Sequence, residues 1–403
     1  MLIVQKYGGS SVANAQRVLN VANRIAKTYR ADNQVIVVLS AQGDTTDDLI
    51  AKAKEINPNP SKREMDMLLT TGEQQSVALM AMALETLGVP AVSLNASQVK
   101  MHTSRDYGVA RINKIDTNRI ESELYRRNVV IITGFQGVNR YDDLTTLGRG
   151  GSDTTAVAIA AATHADKCEI YTDVDGVYTA DPRVVPDARK LDQITYSEML
   201  ELASLGAKVL HNRSVEMAKK YHVELVVRSS LNESEGTIVK EETEVEKMLI
   251  SGVAGDDNVA RVSLLKITDK PGKAFEVFNT LAKNKINVDI IIQSVATDGK
   301  RNISFSIDKD SLDDVKKIVN ANLNIWGVAG VEYEENIAKV SVVGAGMVSN
   351  SGVASKVFEA MYDANININI ISTSEIKISI LIEKDDMKRA MRAIHDKFNL
   401  SNN

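Results

Sequence analysis

Two short stretches of this chain carry residues that could handle an anion. The first is Gly148-Arg-Gly-Gly-Ser-Asp-Thr-Thr155, which runs into an Ala-rich segment over 156–163. Small residues leave backbone N–H groups open to close approach, and a helix starting there presents the positive end of its macrodipole. Ser152 or Asp153 is the expected N-cap of that helix. Arg149 adds a fork of donors that suits a carboxylate or a phosphate. The second stretch is Lys6-Tyr-Gly-Gly-Ser-Ser11, directly after the apolar strand pattern Leu2-Ile-Val4. Its lysine precedes the glycines, whereas in a Walker A loop the lysine follows them. Taken singly, each stretch could be only a tight turn between a strand and a helix.

The surrounding elements decide where such loops can sit. Gln34–Leu39, Val89–Leu94 and Val129–Thr133 are apolar runs with the look of buried parallel strands. They empty into Ser40-Ala-Gln-Gly-Asp-Thr-Thr46, a polar turn, and Gly134-Phe-Gln-Gly137. Met65–Leu87 has helical periodicity, with an interruption expected at Thr70-Thr-Gly-Glu-Gln74. Glu73 then reads as a glutamate at a helix start, either a dipole-friendly cap or a carboxylate able to hold an ammonium group. Cys168-Glu-Ile-Tyr171 is a further strand, followed by Thr172-Asp-Val-Asp-Gly-Val-Tyr178. Strands alternating with helices imply an α/β fold with a mainly parallel sheet between helical layers. Ligands of such sheets gather at the carboxyl ends of the strands, where all these loops lie.

The bulk properties narrow the classes. A length of 403 residues predicts two or three domains, and 44% apolar with 25% charged residues is ordinary for a globular protein. A net charge of −5 argues against nucleic acid or an anionic membrane as a partner. Cys168, the single cysteine, excludes an intrachain disulfide framework and reads as a core thiol. There is no secretory h-region and no apolar run of about 18 residues, so a cytoplasmic protein is expected.

The second half repeats itself. After an acidic stretch within Ser229–Lys247 that reads as a linker, Pro271–Ser294 recurs as Ser351–Ser374, a period of about 80 residues. Each copy is preceded by a strand (Ala260–Ile267, Ala338–Val343) and followed by an alternating strand and a charged helix, with one more strand near Val328–Tyr333. This order predicts two ferredoxin-like α+β units. Val340-Ser-Val-Val-Gly-Ala-Gly346 imitates a dinucleotide loop, but it lacks the third glycine and falls on a turn of the repeat.

The signatures Lys6–Val12, Val37–Ala41, Thr71-Gly-Glu73, Gly134-Phe135, Thr145–Thr155, Tyr171–Tyr178 with Asp181-Pro-Arg183, and Gly206–His211 occur in the order found in one family. On them, the first half resembles the aspartate kinases of the amino-acid kinase superfamily, and the repeats resemble ACT domains. Ser10 stands where that family more often has threonine. The resemblance implies a three-layer amino-acid kinase domain over 1–246 and ACT domains over 247–332 and 333–403, with a strand at about 247–258 able to pair with the second copy. Because the chain stops at Asn403, the form without a fused dehydrogenase is expected.

The implied reaction transfers the γ-phosphoryl of ATP, with Mg²⁺, to the side-chain carboxylate of L-aspartate, the first step toward lysine, threonine and methionine. Such an acceptor is already ionised at neutral pH and needs no general base, so the task is neutralising and aligning two anions. The resemblance places Lys6, Gly8, Gly9 and Ser10 at the phosphates, with Lys6, Glu73, Arg149 and Asp153 as the catalytic group. Arg149 falls to the substrate α-carboxylate and Glu73 to its α-ammonium, with Ser40, Thr46, Phe135, Ser152 and Asp153 around them. Thr172, Asp173, Tyr178, Arg183, Lys208 and Val209 correspond to the nucleotide pocket, although Tyr178 and Val209 could merely pack and Asp173 could merely fix a turn. No protein-held metal is expected. Asp269, Ala274, Asp289, Gln293, Ser294 and Asn367 correspond to a site for lysine, threonine or both, and paired ACT domains imply a homodimer. A glutamate or N-acetylglutamate kinase and a non-catalytic amino-acid sensor are the alternatives. Thr71-Gly-Glu73 and the twin repeats argue against the first, and intact Lys6, Arg149 and Asp153 against the second.

Overall fold

A computed structural model describes residues 1–207, 209–241, 249–348, 350 and 352–402. Lys208, the stretch 242–248 of the expected linker, and Ser351 at the head of the second repeat lie outside the described residues. The chain divides into two compact units. The first takes Met1–Tyr178, Lys190–Ser204 and the described part of 208–246; the second takes Thr179–Arg189, Leu205–Ala207 and the described residues beyond 247.

The first unit is built on an eight-stranded sheet. Its order is Gln193–Thr195, Thr237–Lys240, Leu225–Ser229, Lys167–Thr172, Leu2–Tyr7, Gln34–Leu39, Val129–Thr133, Ala91–Leu94. Every neighbouring pair is parallel except Leu225–Ser229 with Thr237–Lys240. Residues 35–39 and 129–132 of the central strands are apolar throughout because helices cover both faces. Val21, Ala22 and Ile25 of the helix Ala15–Arg30, and Val77, Met80 and Leu84 of the helix Lys62–Thr86, close one face over Val35, Val37 and Ile131. The helices Gly151–Ala162 and Asn212–Tyr221 pair with each other, and the first of them packs on the central strands.

Two helices depart from the sequence expectations. The helix Lys62–Thr86 runs unbroken through Thr70–Gln74, so Glu73 lies mid-helix and is not at a start. Gly72 costs the helix propensity, but a Cβ there would lie 2.8 Å from the Ala41 Cβ, so glycine is what lets the helix close on that loop. The helix after the glycine loop begins at Gly151, and its cap is Gly150 in the left-handed region (φ 66°), with no side-chain cap. Ser152 and Asp153 therefore sit in the first turn. A side chain on Gly150 would enter the His211 ring, which leaves only a glycine cap.

The second unit has a six-stranded antiparallel sheet ordered Ile291–Gln293, Lys300–Asp308, Gly252–Thr268, Gly330–Val343, Lys377–Glu383, Ile370–Thr373. Both repeats share this sheet, and each contributes two helices to its own core. Gly252–Asp256, at the front of the first long strand, pairs with Val343–Lys339 of the second copy, while the back half serves the first copy. The short strand expected near Val328–Tyr333 is the front of Gly330–Val343, so one continuous strand serves both copies. The excursion Thr179–Arg189 packs here too: Ala180 and Val185 join the second copy's core, and Thr179 Oγ1 lies 2.9 Å from the buried His395 Nε2.

Candidate active site

Parallel pairing aligns the carboxyl ends of the central strands, Tyr7 beside Leu39 on one flank and Tyr171 on the other. The loops leaving those ends surround a cavity of about 760 Å³, lined by Lys6, Gly8, Gly9, Ser40, Thr46, Glu73, Phe135, Arg149, Ser152 and Asp153 among others. Ten residues expected at the phosphates and the substrate thus share one space. Ser10 is exposed, and its carbonyl accepts from Arg17.

Close approach explains the glycines. A Cβ on Gly9 would lie 2.6 Å from the Ala41 carbonyl, and one on Gly134 would lie 2.6 Å from Ser152 Oγ. Phe135, beside it, takes a left-handed φ of 67° and is held by a bond from its N–H to Thr155 Oγ1 at 3.1 Å. The first i to i−4 bond of the glycine-loop helix runs from Thr154 N–H to the Gly150 carbonyl at 3.1 Å. The amides of Ser152 and Asp153 precede it and form part of the helix's positive end.

The charges divide into two groups. Lys6 Nζ stands 2.6 Å from Asp153 Oδ1, both nearly buried, close in distance but poorly aligned as a hydrogen bond. Arg149 is exposed to the cavity and, among the described residues, has no ion-pair partner. Glu73 is 3% exposed, and burial pushes its carboxyl up to about 7, against weaker pulls from the Gln136 amide (3.4 Å) and the Ala41 backbone. The cavity therefore holds a guanidinium without an ion-pair partner, a buried carboxyl with a raised pKa, and a lysine at the strand end.

The family model described as the amino acid kinase family matches residues 1–229, and the ACT domain model matches 265–323 and 340–398. The aspartokinase of Bacillus sp. (strain MGA3) is 50% identical over 401 residues, covering 99% of this chain and 98% of that protein. The chain belongs to the aspartokinase family. Two solved relatives are E. coli aspartokinase III with aspartate and ADP (TM-score 0.84, 26% identity) and the same enzyme with lysine and aspartate (TM-score 0.78, 27% identity); each alignment covers 98% of this chain and 99% of the other.

Of the residues expected at the nucleotide, Thr172 ends and Asp173 follows the strand beside the Lys6 strand, and Thr172 Oγ1 donates to Asp173 Oδ1 at 3.0 Å. Tyr178 OH donates to Asp175 at 2.8 Å, and burial raises it to about 12. Val209 is half-buried, and Lys208 lies outside the described residues. Arg183 counts with the second unit, where it forks onto Asp181 at 2.8 Å. None of these lines the 760 Å³ cavity.

In the ACT unit, both acids of the expected effector site are already paired. Arg301 holds Asp269 at 2.6 Å and Gln293 Oε1 at 3.0 Å, while the buried Lys339 holds Asp289 at 2.5 Å. Ser294 bonds to Asn302, Ala274 is half-buried on the helix Lys273–Lys283, and Asn367 is exposed. Sequence reading missed Arg301 and Lys339. It also missed Asp66 and Gln136, which face the cavity wall and Glu73. Their partners lie far along the chain, so no local spacing marked them.

Proposed function

We propose that this chain transfers the γ-phosphoryl of ATP to the side-chain carboxylate of L-aspartate, giving 4-phospho-L-aspartate, at the cavity bounded by Lys6, Glu73, Arg149 and Asp153. The observation that carries the reading is the pairing of a partnerless Arg149 with a buried Glu73 in one cavity: the first suits an α-carboxylate and the second an α-ammonium. The acceptor carboxylate then points toward Lys6, the Gly8 and Gly9 amides, and the helix start at Ser152. These groups neutralise the charge spread over the transferring phosphoryl.

An ATP-dependent phosphotransferase works with a divalent metal. Among the described residues, no cluster of His, Cys, Asp or Glu could hold one by itself. A single carboxylate, Asp153, beside nucleotide phosphates fits Mg²⁺, which keeps waters and takes one or two protein oxygens. When bound, the ion would offset phosphate charge.

For regulation, the reading is that lysine, threonine or both bind at Asp269, Ala274, Asp289, Gln293, Ser294 and Asn367. The edge strands Ile291–Gln293 and Ile370–Thr373, with Ile291, Val295 and Ile371 exposed, suit pairing with a second copy to form a homodimer. Among the described residues, no helix is long and apolar enough to cross a membrane, in keeping with a cytoplasmic enzyme.

The test is ADP release from Mg·ATP with the acyl phosphate trapped by hydroxylamine. Hydroxamate from aspartate but not glutamate is expected. Hydroxamate from glutamate, or none from either, contradicts the reading.

A further inference from the structure

Asp66 lies on the helix Lys62–Thr86, two turns before Glu73 and on the same side. It is 1% exposed, and both its oxygens are used. Oδ2 accepts from the Gly108 and Thr146 N–H groups at 2.9 Å each, and Oδ1 accepts from the Thr146 hydroxyl at 2.8 Å. A buried carboxylate is tolerated only with such satisfaction, and three donors from two separate segments make it a clamp.

What it clamps is the Arg149 side of the cavity. Thr146 ends the strand Leu144–Thr146, from which the chain enters the glycine loop. A Cβ on Gly148 would lie 3.1 Å from the Gly108 carbonyl, so the two segments touch where Arg149 begins. Arg213 braces the far side of the same pair, donating to the Leu147 carbonyl at 3.1 Å and the Ala110 carbonyl at 2.9 Å, but it comes from another helix. Asp66 joins the Arg149 segment to the helix that bears Glu73. An α-amino acid carries its ammonium and carboxylate on one carbon, so their two protein partners must keep a fixed, short separation.

We propose that Asp66 is a positioning residue that sets the separation of Glu73 and Arg149, acting through Gly108 and Thr146, and so governs affinity for the amino-acid substrate. This rests on the reading that Glu73 and Arg149 hold the two ends of the α-amino acid. It gives Asp66 no contact with the reacting atoms. Asparagine can reproduce the clamp: its oxygen accepts the two amides while its NH₂ donates to the Thr146 hydroxyl, which can also accept.

The experiment is steady-state kinetics of the full chain with aspartate and Mg·ATP for Asp66→Ala, Asp66→Asn and Thr146→Val. Asp66→Ala should raise the aspartate KM by about tenfold or more, with the ATP KM within about twofold of the parent, and Asp66→Asn should recover most of the loss. Thr146→Val, which removes one of the three bonds and keeps the fold's volume, should raise the same KM by a few-fold. An unchanged aspartate KM in Asp66→Ala overturns the proposal. So does an equal rise in both KM values that Asp66→Asn does not repair, which marks a merely structural role. If Asp66→Ala fails to fold, Thr146→Val decides, and no change there overturns it. Parent enzyme without aspartate turnover overturns the reading beneath it, a result distinct from a normal parent with indifferent variants.

Discussion

Burial holds the Glu73 carboxyl at about 7, far above its ordinary 4.5, against bonds from its own backbone and that of Ala41 and a long Gln136 contact. Lys6 with Asp153, Arg149, Asp47, Lys62, Asp66 and Tyr107 are the other charged or titratable groups on its cavity, and Lys6 is already engaged. An incoming α-ammonium needs the ionised form. The aspartate KM should therefore fall as pH rises through about 7, and Glu73→Gln should raise KM and flatten that limb; an unaltered limb in the variant would assign it elsewhere. The stability sign is the opposite. A carboxyl raised in the fold from 4.5 to about 7 makes a contribution present below 4.5 that is lost as pH climbs through 7, so Glu73→Gln should melt higher than the parent above pH 7. At this scale the sequence was informative for Arg149 and Lys6, which the fold brings to one cavity. Arg149 and Lys6 stand out because nothing local explains them. Asp66, Gln136, Arg301 and Lys339 act through partners distant in sequence, and no spacing rule announces those.

Among the elements, the strand-end loops were legible because apolar runs and turn residues alternate so cleanly in the first half. The helix Lys62–Thr86 was not. Its Thr-Thr-Gly core reads as a break, but the glycine is fixed by contact with Ala41, a tertiary demand that overrides propensity. The glycine-loop cap was misplaced for a like reason, since the clash that requires Gly150 involves His211, far along the chain. The helix packing predicts a measurable penalty. Gly72→Ala improves helix propensity yet should lower stability by about 1–3 kcal/mol and raise the aspartate KM, because Glu73 is the next residue. A higher melting temperature with unchanged KM would show that the 2.8 Å approach to Ala41 relaxes freely.

For the chain as a whole, the repeat was legible but its fusion was not. Periodicity marks two units, whereas Gly252–Thr268 and Gly330–Val343 are long strands that each serve both copies. The departure of Thr179–Arg189 to the second unit was likewise invisible, since its anchors Ala180, Val185 and His395 follow no local pattern. The fused sheet brings Lys339 of one copy onto Asp289 of the other. On the proposed regulatory reading, an effector ammonium at Asp289 would compete with an internal one. Lys339→Gln should lower the lysine or threonine concentration for half-inhibition by several-fold, while uninhibited kcat stays near the parent's. Weaker inhibition would mean that Lys339 builds the effector site.

The central claim, that one cavity reads the α-amino acid through Arg149, is tested most directly by Arg149→Ala. Aspartate titration and ATP binding should be measured on the same folded preparation. The kcat/KM for aspartate should fall by about a thousandfold or more with nucleotide affinity retained. An aspartate kcat/KM within a few-fold of the parent would contradict it.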